Sequence, residues 1–374
     1  MEHSRRDLLT GAAAQRELAA RQDALAESAT ALFPDATGSV ALRIVAMACD
    51  FEAFAPSGPN APVGALSRAL DEIPQVESRI SVYRDDSELS RVNRDARAGW
   101  TTVEPDVFAW LDEARRFSTD LDGAFDPTTG PLVALWRHCR REQRLPISEE
   151  LEAALKLVGL DKVEWDVPTH RLRFLADGMS LNLNAFGKGS ALDLAAARLD
   201  EEQVASYCLH AGHSSILARG SSVATAASPG WTISISNPLL AHHRLARLRL
   251  SDAGMSTSGN GVQYFTLEGR RYGHLLNPRT GWPAEGLLSV SVIASTAAEA
   301  EALSTAFFVM GVEKACGYCQ RRNRFGASPI GAILVPPPVG GRLLSPVVVG
   351  LSRESVVFDA DEVAEVVWMN NPTA

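Results

Sequence analysis

The stretch LSVSVIASTAAEAEALSTAFFVMG, Leu288 to Gly311, decides the fold class. Leu288 to Ala294 is a short apolar run of strand type, and Ala297 to Gly311 follows almost at once as a helix. Working outward, the strand signals cluster instead of alternating one-for-one with helices. Upstream of it, Leu209 to Ala218, Trp231 to Ser236, Leu248 to Leu250 and Arg271 to Leu275 read as strands, and Ser190 to Leu199 as a helix. Downstream, Ile333 to Pro336 and Ser355 to Phe358 read as strands of a C-terminal extension. Toward the N-terminus the expected order is a strand at Val40 to Ala48, a loop at Pro56 to Pro62, and a helix at Val63 to Ile73 ended by Pro74. A strand at Arg79 to Tyr83, a short helix at Ser87 to Asn93, and helices at Asp106 to Leu121 and Ser148 to Lys156 come next, the last with Ser148 as N-cap. Val163 to Trp165, Arg171 to Phe174 and Met179 to Leu183 form a small meander. Strands that neither alternate strictly with helices nor stand alone predict an α+β fold, with mixed and antiparallel sheets and packed helices. The expected divisions are a helical arm over residues 1–38, the main domain over 39–320, and a strand-rich extension of it over 321–374.

Bulk properties narrow the function. The 374 residues carry a formal net charge of −9, which disfavours a nucleic-acid binder but not a site for one phosphorylated ligand. Five cysteines are too few for a disulfide scaffold. Cys316-Gly317-Tyr318-Cys319 has thioredoxin-type spacing but follows a long helical stretch, so it reads as two helical core cysteines. No run approaches the ~20 apolar residues that span a bilayer. Ser4 to Leu9 resembles a twin-arginine export motif. Its apolar region is cut short by Gln15, Arg16 and Glu17, which favours a cytoplasmic chain over an exported one.

Three segments carry candidate chemistry. In Leu181-Asn182-Leu183-Asn184-Ala185-Phe186-Gly187-Lys188-Gly189-Ser190 a strand yields to a Gly-Lys-Gly turn and a helix start, where amides and Lys188 suit a phosphate. A nucleotide-triphosphatase loop is excluded, because Asn182 and Gly189 stand where Gly and Ser or Thr are required. A solvated turn lysine is the plainer reading. In Tyr272 to Pro283 a strand delivers His274 and a Pro/Gly turn presents Arg279 and Thr280. In Glu299 to Ala306, Glu301 and Thr305 lie four residues apart on one helix face, and such hard oxygens suit Mg²⁺. The same pair also reads as an exposed glutamate beside a core threonine. The turn Asp122-Gly123-Ala124-Phe125-Asp126-Pro127-Thr128 is rich in hydrogen-bonding groups, and Gly123 permits close approach to a ligand.

Taken in order, these segments resemble the FAD:protein FMN transferase (ApbE) family. The matching stretches are Ser81 to Asn93, Gly123 to Thr128 with Gly130-Pro131-Leu132, Leu181 to Gly189, Met255-Ser256-Thr257-Ser258-Gly259, His274 to Pro283, and Ala300 to Gly311. The resemblance implies a two-lobed fold with FAD in a cleft. It places Met47, Tyr83, Ala124, Phe125, Asp126, Asn182, Lys188 and Leu276 at flavin-binding positions. Ala185 (through its carbonyl), Glu301, Ser304 and Thr305 fall at metal positions for Mg²⁺, and His274 falls beside the pyrophosphate. With Lys188 and His274 as catalytic residues, it implies transfer of FMN from FAD to a Thr or Ser of an acceptor protein, with release of AMP. Family acceptors are often membrane redox subunits. The sequence departs from the family where Asn182, Asn277 and Glu301 replace Asp, and where His213 replaces Gly. These departures keep two alternatives open: an FAD pyrophosphatase, and an FAD-binding protein without turnover.

Overall fold

A computed structural model describes residues 38–222, 230–240, 242–260, 264–325 and 328–369. The twin-arginine-like motif and the helical arm, apart from residue 38, lie outside the described residues.

The chain opens with a hairpin, β1 (Ser39–Ala46) and β2 (Cys49–Pro56), followed by α1 (Val63–Asp71), α2 (Ile73–Ile80) and α3 (Glu88–Asp95). After β3 (Thr101–Thr102) come α4 (Pro105–Asp120), α5 (Gly130–Arg141), α6 (Ser148–Leu155), β4 (Val163–Asp166), β5 (Arg171–Phe174) and α7 (Gly187–Glu201). Next are β6 (Tyr207–Ala211), β7 (Ser215–Arg219), β8 (Trp231–Ser236), β9 (Arg244–Leu250), β10 (Ala253–Gly259), β11 (Tyr264–Leu267) and β12 (Arg270–Gly273). The chain ends with β13 (Ser289–Ala294), α8 (Ala297–Phe325), β14 (Gly331–Val335), β15 (Val347–Val349), β16 (Val356–Phe358) and β17 (Val367–Met369).

Nine strands form the central sheet in the order β1-β2-β6-β7-β10-β13-β14-β15-β17. Its pairings are antiparallel except the last, so the sheet is mixed. The period-2 alternation of a strand sends successive side chains to opposite faces. In β15, Val347 and Val349 enter the larger core with α7 and α8, whereas Val348 enters a second core with Trp231, Ile233 and Leu248. The sheet β16-β9-β8 supplies that second core and covers the face opposite the helices. Three layers result: helices, the large sheet, and a small sheet. This is the expected α+β class with mixed and antiparallel sheets.

Several local expectations are corrected. Pro74 begins α2 instead of ending the preceding helix, as its missing N–H permits in a first turn. Arg79 to Tyr83 is no strand: α2 runs to Ile80 and a turn follows. Met179 to Leu183 is irregular: Asn93 takes up the Leu181 N–H and carbonyl, and the Asn182 N–H goes to the Pro127 carbonyl. Leu209 to Ala218 folds as the hairpin β6–β7, turning at Gly212 with φ 54°. The cap of α6 is Ile147, whose N–H donates to the Glu150 carboxylate. Gly311, with φ 77°, breaks α8 where the helix was expected to end, but helix resumes and runs across residue 320 to Phe325. Cys316 and Cys319 are unpaired and buried on this helix, and burial pushes both thiols up.

Candidate functional site

The site is organised by the crossing of α7 and α8. A Cβ built on Gly189 would lie 2.5 Å from the Ala297 carbonyl oxygen and 2.6 Å from the Ala298 Cα, so only glycine lets the helices meet there. Each helix then caps the other. From α7, Asp193 accepts the Ala297 and Ala298 N–H groups at 2.8 and 2.9 Å. From α8, Glu301 accepts the Gly189 N–H at 2.6 Å through Oε2 and the Lys188 Nζ at 2.6 Å through Oε1. α7 has no side-chain cap of its own and the Thr296 hydroxyl caps α8 only at the Glu299 N–H, so these carboxylates satisfy further donors that would otherwise be orphaned. Burial works against the Lys188 ammonium, but the Glu301 carboxylate more than offsets it and holds the amine above its usual range. Burial also pushes the Asp193 carboxyl up to about 6, against the pull of its two N–H bonds.

Hydroxyls line the next turn of α8. Ser304 is fully buried and its Oγ lies 2.9 Å from that of Ser258 on β10, which is also 3.4 Å from the Thr305 Oγ1. Because the Gly189 N–H points at Glu301, it does not close a helical bond onto the Ala185 carbonyl. Of the four expected metal positions, Glu301, Ser304 and Thr305 share one stretch of α8, and Ala185 just precedes the start of α7 that Glu301 contacts. Among the described residues, no three His, Cys, Asp or Glu side chains gather to hold a metal ion. One carboxylate with hydroxyl and carbonyl oxygens matches what Mg²⁺ takes when substrate phosphates supply the remaining ligands. The donor set thus fits Mg²⁺ bound together with a phosphorylated substrate, and fits a metal held by protein alone poorly.

The turn at 122–128 packs against the start of α7. Ala124 and Phe125 are buried, with Phe125 against Phe186 at 6.3 Å between ring centroids. Burial raises the Asp126 carboxyl above its ordinary range, while bonds from the Thr128 N–H and hydroxyl act the other way. The Asn182 N–H donates to Pro127, and its side-chain oxygen accepts the Asn184 N–H, which closes the turn leading to Lys188. Asn184 in turn donates to the Tyr83 hydroxyl at 2.7 Å. Met47 and Ala48 form the β1–β2 turn with φ 49° and 57°, a left-handed conformation costly without glycine. Beside them, burial pushes the Cys49 thiol up to about 11, with Lys188 lowering it and Glu301 raising it. The hairpin tip is therefore within electrostatic reach of the ion pair.

His274 and Leu276 lie on a separate loop, with His274 exposed and Leu276 half-buried and bridged to Pro283. The Asn277 side chain accepts the Arg279 N–H, the same i to i+2 turn that Asn182 makes. Asparagine thus builds both turns with the oxygen that aspartate would use. Arg279 reaches across to the Asp122 carbonyl and carboxylate at 2.5 and 2.6 Å, and the Trp136 indole donates to the Gly281 carbonyl at 2.7 Å. His213 is exposed at the β6–β7 turn, and partial burial of its ring lowers its affinity for a proton. Asn93, Asp193, Asn184 and Ser258 hold this neighbourhood together and were assigned no role from sequence. Their signal was present only as membership in the matched stretches, or, for Asp193, as an acid four residues along the helix from Gly189.

The ApbE family model matches residues 40–327. An FAD:protein FMN transferase of Haemophilus influenzae is 32% identical over 257 residues, covering 66% of this chain and 73% of the relative. One from Treponema pallidum is 31% identical over 271 residues, covering 68% and 75%. Among solved structures, the ApbE protein of Thermotoga maritima superposes with a TM-score of 0.71 at 28% identity, over 80% of this chain and 94% of that one. The apo form of the flavinyl transferase ApbE of Pseudomonas stutzeri gives 0.70 at 28% identity, over 83% and 94%.

Proposed function

The chain belongs to the ApbE family, and from that premise we propose that it transfers FMN from FAD to a Thr or Ser hydroxyl of an acceptor protein, releasing AMP. The observation that carries the proposal is the convergence of Lys188 Nζ, the Gly189 N–H and the Glu301 carboxylate beside the Ser258, Ser304 and Thr305 hydroxyls. In this reading Met47, Tyr83, Ala124, Phe125, Asp126, Asn182 and Leu276 hold the flavin, and Lys188 with the α7 amide holds the pyrophosphate in line for attack. Ala185, Glu301, Ser304 and Thr305 would hold Mg²⁺, which when bound supplies charge stabilisation to the breaking P–O bond. The acceptor oxygen forms a bond to the FMN-side phosphorus, the bridging P–O bond breaks, and AMP leaves. Lys188 meets the negative charge that develops on the phosphates. His274, exposed on its loop, takes the hydroxyl proton or stabilises charge at the same place. The acceptor is an exposed segment of another protein, of which a membrane redox subunit is one kind.

The test is AMP release from FAD, followed by chromatography, with Mg²⁺ or EDTA and with or without a Thr-bearing acceptor domain. Metal-dependent AMP that needs the acceptor, together with a fluorescent acceptor, is the expected result. AMP without any acceptor indicates a pyrophosphatase, and bound FAD without AMP under all conditions indicates a binder. Glu301→Ala should abolish AMP release; unchanged turnover in that variant would remove the metal assignment.

A further inference from the structure

Both oxygens of the Glu301 carboxylate are taken by the two donors best placed to bind phosphate. Oε1 meets Lys188 Nζ and Oε2 meets the Gly189 N–H, each at 2.6 Å, and the Glu301 side chain is 5% exposed. A carboxylate bridging a lysine and a helix-start amide is arranged as a bound anion would be. We propose that Glu301 is an internal substitute for the FAD pyrophosphate: with no metal bound it fills the Lys188–Gly189 anion site, and it must turn away before FAD phosphates can occupy it. The inference rests on the flavin-transferase reading and adds an order to it.

The length of the side chain matters because the backbone cannot adjust. α7 and α8 already touch at Gly189 and Ala297, and Asp193 pins the start of α8 from the opposite side. At this fixed separation the glutamate arm spans the gap, and an aspartate arm, one methylene shorter, falls short of both donors. Glu301 has somewhere to turn: the Thr305 hydroxyl lies one helical turn on, 3.4 Å from the Ser258 hydroxyl on β10. A divalent cation shared with those oxygens would draw the carboxylate off Lys188 and Gly189. Metal binding and FAD binding are then coupled, and Mg²⁺ strengthens capture of FAD as well as serving cleavage.

The experiment measures FAD affinity of the full chain by flavin fluorescence and anisotropy, in EDTA and in Mg²⁺, for the wild type, Glu301→Asp and Glu301→Gln. Wild type should bind FAD about tenfold more weakly in EDTA than in Mg²⁺. Glu301→Asp keeps the charge and should bind about tenfold more tightly than wild type in EDTA, with little further gain from Mg²⁺. Glu301→Gln, which weakens the contact to Lys188 at unchanged length, should move the same way and stands in if the Asp variant fails to fold. If neither variant exceeds wild type in EDTA, or if Mg²⁺ leaves wild-type affinity unchanged, the substitution role is wrong. The two readings fail separately: metal-coupled FAD binding with no AMP under the acceptor assay sinks the transferase and leaves the gate intact, whereas no FAD binding in any condition sinks both.

Discussion

The candidate site has two walls, and they are held by opposite kinds of contact. On one wall α7 and α8 meet at a glycine, and the acids that join them are mostly or wholly out of water. On the other, the turn at 122–128 and the His274 loop are joined by Arg279 and Asp122, whose side chains are 48% and 94% exposed. Charged hydrogen bonds out of water are strong and expensive to break, whereas exposed ion pairs contribute about 0–1 kcal/mol. The comparison teaches that the backbone of the wall carrying Lys188 and Glu301 is fixed by close packing and buried hydrogen bonds, whichever way the Glu301 side chain turns. The wall carrying His274 is joined by exposed contacts and is the one free to adjust.

Gly189→Ala should break this contrast most severely. The added methyl meets backbone atoms of Ala297 and Ala298, which cannot rotate aside. Overpacking of this kind costs roughly 1–3 kcal/mol or more, and we expect about 3 kcal/mol in urea unfolding together with loss of AMP release. A variant of wild-type stability would show that the helices do not touch as described.

Asp193→Asn should cost less, about 1–2 kcal/mol, because one of the two N–H groups at the start of α8 loses its acceptor. This variant also carries a pH signature. Burial lifts the Asp193 carboxyl from 3.8 to about 6, so the folded chain holds a proton over an interval in which the unfolded chain has lost it. The contribution of this titration to stability is full below about pH 4 and is lost as pH rises through about 6. The stability gap between wild type and Asp193→Asn should therefore narrow from pH 4 to pH 7. A gap that widens over that interval would contradict the assigned environment.

Arg279→Ala should have the smallest effect, under about 1 kcal/mol in stability. It should raise KM for FAD a few-fold, and 0.5 M NaCl should reproduce part of that change in the wild type, since an exposed pair is screened by salt. A loss of stability as large as that of Asp193→Asn would mean that the two walls are equally fixed.

The elements easiest to read in the sequence were those whose pattern lies within one segment. Trp231 to Ser236 is a strand with the expected bounds, and the helix over Asp106 to Leu121 appears as α4, shifted by one residue. Helix α5 was missed, although proline in a first turn is a good helix start. Strand β10 was missed because Ala253 to Gly259 is small and polar; its Ser256, Thr257 and Ser258 face the hydroxyls of Ser304 and Ser291 instead of a greasy core. The candidate site followed the same rule. Lys188, Glu301, Ser304 and Thr305 were named from ordered motifs, and the structure brings them to one place. The roles of Asp193 and Asn93 lie in contacts to residues about 90 to 100 positions away, which leave no local pattern.

Sequence by itself determined the helix face that carries Glu301, Ser304 and Thr305, the glycine-flanked Lys188 just before a helix, and the Pro/Gly turn that presents Arg279. Each is fixed by spacing over four residues or fewer, within reach of helix geometry and turn chemistry. Only the tertiary structure decided that Glu301 pairs with Lys188, 113 residues away, and with the amide beside it. That pairing depends on how closely two helices cross, which is set by the absence of a Cβ at Gly189 and the backbone it faces. A glycine in a sequence announces freedom to approach; what it approaches is settled by the packing of the whole chain.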